Sequence, residues 1–272
     1  MLPRVDLVRC EEFTYCLLNS PDHIGSFIKQ NGFWGKLEST VCSILVDGLE
    51  SPVIIDAGAN IGGFTLPIAK KIANLNGVIH SFEPQRIVFQ QLCTNIFINR
   101  LDNVYTHNVA LGDECKLLEL PELNFDESQN VGGFSIDEGI RLKIEEDGKK
   151  GNNFTNKLEN KKNEVRQITL DSLNLFKSIA FLKIDVEGFE LELFKGSVET
   201  IKSNNFPPII FEVWDKNWYA NKALLTKEYL LNFGYTFYEF GRDIVAQHPK
   251  HDRYLVFEKN GNNVNIMLKL RN

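Results

Sequence analysis

Apolar and polar positions along the chain fall into two alternating patterns from Val53 onward. Short apolar runs rich in β-branched residues predict strands at VIIDAGA (53–59), GVIHSFE (77–83), NVYTHNVAL (103–111), IAFLKIDV (179–186) and PIIFEVW (208–214). Between them lie stretches of helical period, at 62–73, 86–99, 189–202 and 222–232. Continuous apolar strands joined by amphipathic helices imply right-handed βαβ units and a parallel sheet covered on both faces. The runs YTFYEFG (235–241) and RYLVFEK (253–259) have no helix between them, so they are expected to pair as an antiparallel hairpin closing the sheet.

Two regions break the alternation. Residues 1–50 contain an amphipathic helix at 22–34, stopped by Gly32 and capped by Asp22 or Ser20. They are expected to form an N-terminal helical lobe covering the active site, with 51–272 as the main domain. The stretch 137–167 has fifteen charged residues out of 31 and few apolar anchors. It cannot bury enough apolar surface to offset its ordering entropy, which predicts a mobile charged insertion, either a loop or a long hairpin. An N-x-T triplet at Asn153 lies within it.

Composition narrows the function. A net charge of −6 disfavours a protein that grips nucleic acid through its phosphates, so no nucleic-acid partner is expected. No apolar stretch reaches the ~20 residues of a membrane span, and the charged start MLPRVDLVRC does not resemble a signal peptide. The five cysteines lack any C-x-x-C pair, which argues against zinc and against a disulfide framework. Together these place the protein in the cytoplasm. Oligomeric state is not legible.

The candidate chemistry begins at DAGANIGG (56–63). In open α/β sheets ligands bind beyond the carboxyl ends of the strands, where strand order reverses. A dinucleotide site needs glycine where this chain has Asn60, because the pyrophosphate touches the backbone there. S-adenosylmethionine has no phosphate. Its carboxylate can meet the N–H groups opening the 62–73 helix, and Asp56 can serve its amino group directly or through water. Glu83, ending the second strand 25 residues after Gly58, suits the ribose hydroxyls. Alternatively, the turn is structural and Glu83 a helix N-terminal acid before Pro84.

At the fourth strand, Lys183, Asp185 and Glu187 alternate with period two and would share one face of a straight strand. Gly188 permits a sharp exit. Methyl transfer leaves a neutral thioether, so the chain need supply only alignment and a base for the acceptor hydroxyl. Asp185 is the first candidate and Glu187 the second, with Lys183 steadying either charge. A bland alternative makes Lys183 and Asp185 a buried ion pair and Glu187 a helix cap. A divalent metal is possible but not expected, since no histidine or third carboxylate stands at a ligand-like spacing. His80 and His107, within strands, suit satisfied core positions. Beyond the fifth strand Glu212, Trp214, Asp215 and Trp218 suit a sugar, the rings stacking on it and the carboxylates fixing hydroxyls. Trp214 and Trp218 are otherwise packing residues.

The segments VIIDAGANIGGFTLPIA, VIHSFEPQRIVFQQLCTNIFIN, VALGD, ITLDSL and FLKIDVEGFELELFKGS occur in this order and together resemble FkbM-type S-adenosylmethionine-dependent O-methyltransferases. The likeness covers roughly residues 20–215. It implies a Rossmann-like class I methyltransferase sheet, α/β with seven strands and the last antiparallel, and transfer to a hydroxyl of a sugar, glycan or related metabolite. It implies a cofactor site drawn from Asp56, Gly58, Ala59, Asn60, Gly62, Thr65, Glu83, Pro84, Asn108, Val109, Ala110 and Asp185. Ser135, in NVGGFS, would lie near the cofactor's methionine end. One rival shares the fold, a nicotinamide-dependent oxidoreductase, disfavoured by Asn60 and by the lack of a Tyr-x-x-x-Lys or His base. A rival of another class is a non-catalytic cofactor-binding partner of a glycosyltransferase, which the strand-four acids argue against.

Overall fold

The computed structural model describes residues 2–151, 156–174, 179–260 and 263–271. The chain opens with an antiparallel hairpin, β1 (Val5–Arg9) and β2 (Thr14–Leu18), followed by α1 (His23–Asn31) and α2 (Lys36–Val46). The Asp22 carboxylate accepts the Gly25 N–H at 2.9 Å, and Gly32 ends α1 in a left-handed conformation, so of the two candidate caps Asp22 is the one used. The expectation of a wholly helical lobe is corrected. The hairpin was hidden because β1 turns Val5 and Leu7 outward, and only β2 buries its side chains.

The alternating part follows as β3 (Val53–Ala57), α3 (Thr65–Ala73), β4 (Val78–Phe82), α4 (Arg86–Ile98) and β5 (Val104–His107). The expected third strand, 103–111, breaks at Asn108. Its second half is β6 (Ala110–Leu111), which leaves the main sheet and joins β7 (Lys116–Leu123) and β8 (Leu158–Ile168) in the order β6-β8-β7. The charged stretch 137–167 is therefore neither a loop nor one long hairpin. It forms α5 (Glu138–Lys149) and then β8, which pairs with β7 from outside the stretch. Few apolar anchors suffice because each element needs only one dry side: α5 buries Ile140, and β8 buries Val165 and Gln167. Asn153 and its triplet lie outside the described residues.

After a 3-10 turn at Leu170–Leu173 come β9 (Ile179–Ile184), α6 (Glu190–Lys195), α7 (Val198–Ser203), β10 (Ile209–Glu212) and α8 (Ala220–Asn232). The sheet closes with β11 (Thr236–Phe240) and β12 (Asp243–Gln247). Here the hairpin expectation is corrected in its partner. β11 pairs with β12 across the Gly241-Arg242 turn, whereas 253–259 belongs to β13 (Arg253–Asn260), which pairs with β14 (Asn263–Leu270) in a separate ribbon. Gly241 at φ 66° provides the positive φ that a two-residue hairpin turn requires.

The main sheet has the order β5-β4-β3-β9-β10-β12-β11, all parallel except β12, which runs antiparallel to both neighbours. This is the seven-stranded sheet that the resemblance implies. Ile55, Leu182, Ile184 and Phe211 pack with Leu193, Phe194 and Leu230, while Ile54, Ile79, Phe181 and Ile210 pack with α2 and α3. Burial on both faces explains the continuous apolar runs. Strand order reverses between β3 and β9, so a crevice opens at their carboxyl ends. No helix among the described residues is long and apolar enough to cross a membrane.

One buried side chain ties the N-terminal hairpin to that crevice. Asn95 of α4 accepts the Cys16 N–H at 2.6 Å and donates to the Ile61 carbonyl at 2.8 Å. Asn95→Leu keeps the volume but strands two buried backbone groups, each costing about 1–3 kcal/mol. Urea unfolding should show a loss of roughly 2–4 kcal/mol, and a loss below ~0.5 kcal/mol would mean the tie contributes nothing.

Candidate functional site

The crevice is a cavity of about 930 Å³, lined from the sheet by Ala57, Gly58, Ala59, Asn60, Glu83, Pro84, Val109, Ala110, Lys183, Asp185, Glu187 and Glu212. Its shape begins with the approach of two turns. Gly58 sits at φ 76°, and a Cβ there would lie 1.8 Å from the Asp185 carbonyl oxygen. Only glycine lets the exit of β3 lie against the exit of β9. Asn60 is left-handed too, at φ 50°, a conformation that Asn tolerates better than most residues. Its N–H donates to Glu83 Oε2 at 3.0 Å, while Glu83 Oε1 accepts the Gln85 N–H at 2.8 Å. Glu83 is thus oriented by two backbone donors, and each oxygen retains a lone pair. Burial pushes its carboxyl up to about 7, against the pull of those hydrogen bonds.

Lys183 is the electrostatic hub. Its ammonium lies 3.3 Å from Asp56 Oδ1 and 3.7 Å from Asp185 Oδ2, and it donates to the Gly58 carbonyl at 2.7 Å. Burial alone would lower its pKa, but the Asp56 and Asp185 carboxylates outweigh burial and hold it above the ordinary lysine value. Asp56 is fully buried and accepts the Thr65 hydroxyl at 2.6 Å. It does not line the cavity, so its reach to a ligand runs through Lys183. Lys183 and Asp185 do pair, but the shorter contact is to Asp56.

Asp185 and Glu187 both line the cavity, although β9 stops at Ile184 and the straight-strand argument does not apply. Glu187 is carried into place by a left-handed turn, φ 53°, ahead of Gly188 at φ 88°. The fold adds the third carboxylate that spacing did not reveal: oxygens of Asp185, Glu187 and Glu212 lie within 4.8 Å of one another. Burial, then Asp185, raises Glu212 to about 8, and burial with Asp185 and Glu212 raises Glu187 well above its usual range. Such a group must hold a proton or a cation, and the three could ligate a divalent metal.

Other candidates are placed differently. Gly62, Thr65, Asn108, Ser135 and Asp215 are outside the lining. Asn108 instead donates to the Glu83 and Pro84 carbonyls at 2.8 and 3.1 Å, and the buried Ser135 hydroxyl accepts the Asp137 N–H at 3.2 Å. Trp214 and Trp218 line the cavity with ring centroids 5.7 Å apart, and Trp214 donates to Glu212 at 3.1 Å. His80 and His107 bond each other at 3.1 Å away from the cavity. Sequence reasoning missed the wall formed by His23, Phe27 and Trp34 of the N-terminal lobe. The FWG triplet after Gly32 was a usable signal, since Trp34 fills the space where a Gly63 Cβ would stand, 2.9 Å away. Asp243, brought in by β12, had none.

A doubly wound sheet with β12 reversed, and a crevice walled by carboxylates at its strand ends, define a methyltransferase-type fold. The methyltransferase FkbM domain matches residues 56–262, and the chain belongs to that family. A protein of Beauveria bassiana named Methyltransferase 1 is 29% identical over 153 residues, 53% of this chain and 57% of that protein; the chain thus matches little more than half of that relative's length. Among solved structures, Methyltransferase FkbM from Methylobacillus flagellatus is 16% identical with a TM-score of 0.47, covering 72% of this chain and 44% of that one. A SAM-dependent O-methyltransferase from Thermotoga maritima is 11% identical with a TM-score of 0.46, covering 98% and 73%.

The raised carboxyls set a pH dependence. Glu83, Glu190 and Glu212 have folded values of about 7, 7 and 8 against an ordinary 4.5. A raised carboxyl stabilises the fold below its unfolded value and loses that contribution as pH rises through the folded one. In the ligand-free protein these three should therefore cost stability between about pH 4.5 and 8, against an opposing gain from His80, His107, His248 and His251, which burial holds below their ordinary value. Glu83→Gln should remove the Glu83 share and make the slope of urea midpoint against pH more positive between about pH 4.5 and 7; a slope unchanged from wild type would contradict this shift.

Proposed function

We propose that the protein is an S-adenosylmethionine-dependent O-methyltransferase acting on a hydroxyl of a sugar, glycan or related hydroxylated metabolite. The observation that carries this reading is the sharing of one cavity wall by Glu83 and the Asp185–Glu187–Glu212 group, on either side of the Gly58 turn. The residues suit the cofactor. Asn60 occupies the place where a pyrophosphate would need glycine, and an acid-rich wall favours a sulfonium cation. Glu83 has lone pairs for two ribose hydroxyls, with Pro84, Val109 and Ala110 beside the base. Gly58, Ala59 and Asn60 would border the amino-acid part.

When bound, the cofactor supplies an electrophilic methyl group whose departure leaves a neutral thioether. The chain aligns the acceptor hydroxyl and takes its proton as the new O–C bond forms and the S–C bond breaks. Asp185 is assigned this role, with Glu187 second, because it reaches the cavity beside Lys183, whose charge steadies the carboxylate. Proton and charge balance: one carboxylate is neutralised as one sulfonium is. Trp214 and Trp218 offer ring faces for the acceptor, and Glu212 a hydroxyl partner.

Glu83→Ala should weaken S-adenosylhomocysteine binding at least tenfold by calorimetry, since two charge-assisted hydrogen bonds, each worth about 1.5–3 kcal/mol, are lost. Undiminished affinity in a folded variant would remove the cofactor assignment. For Asp185→Asn, Lys183 keeps Asp56 and the Gly58 carbonyl, so melting should change little. Turnover should drop about a hundred- to ten-thousandfold, with cofactor affinity within a few-fold. A variant that melts early yet turns over normally would assign the residue to structure.

A further inference from the structure

FLKIDVEGFELELFKGS contains two acids with no part in the chemistry above, Glu190 and Glu192, and the first of them is buried. Glu190 is 2% exposed and lies outside the cavity lining. Its Oε1 accepts two backbone donors, the Val186 N–H at 3.3 Å and the Gly188 N–H at 3.1 Å. Its Oε2 accepts the hydroxyl of Tyr219, itself 2% exposed, at 3.0 Å. The two N–H groups flank Glu187, the residue held at φ 53°. For a non-glycine residue that conformation is strained and persists only where its surroundings enforce it. Glycine at 188 is favoured separately, since its φ of 88° is one that side-chain-bearing residues rarely adopt.

We propose that Glu190 is the positioning residue of the active-site turn: its carboxylate clamps the N–H groups on both sides of Glu187, aims Glu187 at Asp185 and Glu212, and ties that turn through Tyr219 to the Trp214–Trp218 wall. This rests on the catalytic and acceptor-binding roles proposed above for these residues. A buried carboxylate satisfied by three donors is a geometric constraint, not a surface charge. Tyr219 also packs at 4.9 Å from Trp214, so turn and wall would move together.

The test needs no known acceptor, because the two clamped N–H groups, of Val186 and Gly188, report the turn directly. Glu190→Gln removes the charge but retains an oxygen able to accept both N–H groups, and Glu190→Ala removes both. Glu190→Asp keeps the charge on a side chain too short to span the turn. In the full chain, nuclear magnetic resonance should show amide exchange at Val186 and Gly188 accelerated at least tenfold in Glu190→Ala and Glu190→Asp. In Glu190→Gln, exchange should stay within threefold of wild type. Wild-type behaviour in Glu190→Asp, or a Glu190→Gln turn as loose as the alanine one, would overturn the clamp. S-adenosylhomocysteine affinity, measured in parallel, should stay within threefold in all three. If the wild type itself fails to bind, the cofactor reading falls, while the turn measurements still judge the clamp.

Discussion

The ammonium of Lys183, enclosed between Asp56, Asp185 and the Gly58 carbonyl, joins the two strands whose divergence makes the crevice. β3 and β9 are neighbours in the sheet, but their following helices leave in different directions because strand order reverses there. Without a cation between them, two carboxylates and a carbonyl would crowd together in a poorly hydrated place. Removing the ammonium would leave the fully buried Asp56 charge uncompensated, which typically costs about 3–5 kcal/mol. The ammonium holds the glycine turn and the Asp185 turn against each other, and the bare Gly58 backbone makes that closeness sterically possible.

Around this hub the fold divides its labour. The central strands bury both faces and carry no chemistry until their ends: Asp56 and Lys183 stand one residue short of the ends of β3 and β9, Glu212 ends β10, and Glu83 and Asp185 follow β4 and β9. The N-terminal lobe, joined to α4 by Asn95, supplies an aromatic wall beside the glycine turn. The charged stretch supplies Ile140 against Gly188 and Ile144 in the cavity lining. Lys216–Asp147 at 2.9 Å and Lys222–Asp137 at 3.5 Å bind α5 to the segment after β10. Charges that weakened the case for order in isolation find their partners across the fold.

The cavity is acidic where transfer is proposed. Asp185, Glu187, Glu212 and Asp243 face one another with Lys183 and Arg242 as the nearby cations, and Glu187, Glu212 and Asp243 are all raised, chiefly by burial. Such a wall disfavours an anionic group and accommodates a cation or a proton. The same acids that suit the chemistry cost stability at neutral pH when the site is unfilled, a familiar tension at functional sites.

Local pattern determined much of this protein. Continuous apolar runs with helical stretches between them specified the parallel core, and Gly58, Glu83 and Asp185 were legible because turn chemistry and strand ends are short-range properties. The resemblance named the sheet before any contact was known. Tertiary structure decided what depends on pairing between distant segments. β12, not β13, closes the main sheet, because a five-residue strand across a Gly-Arg turn carries too weak a local signal. β8 is a strand because β7 lies alongside it. Glu212 joins Asp185 and Glu187 because β10 hydrogen-bonds to β9, and Asp56 serves Lys183 because burial closes it off from the cavity. Side-chain period fixes which face a residue takes, but only the packed sheet fixes which residues meet.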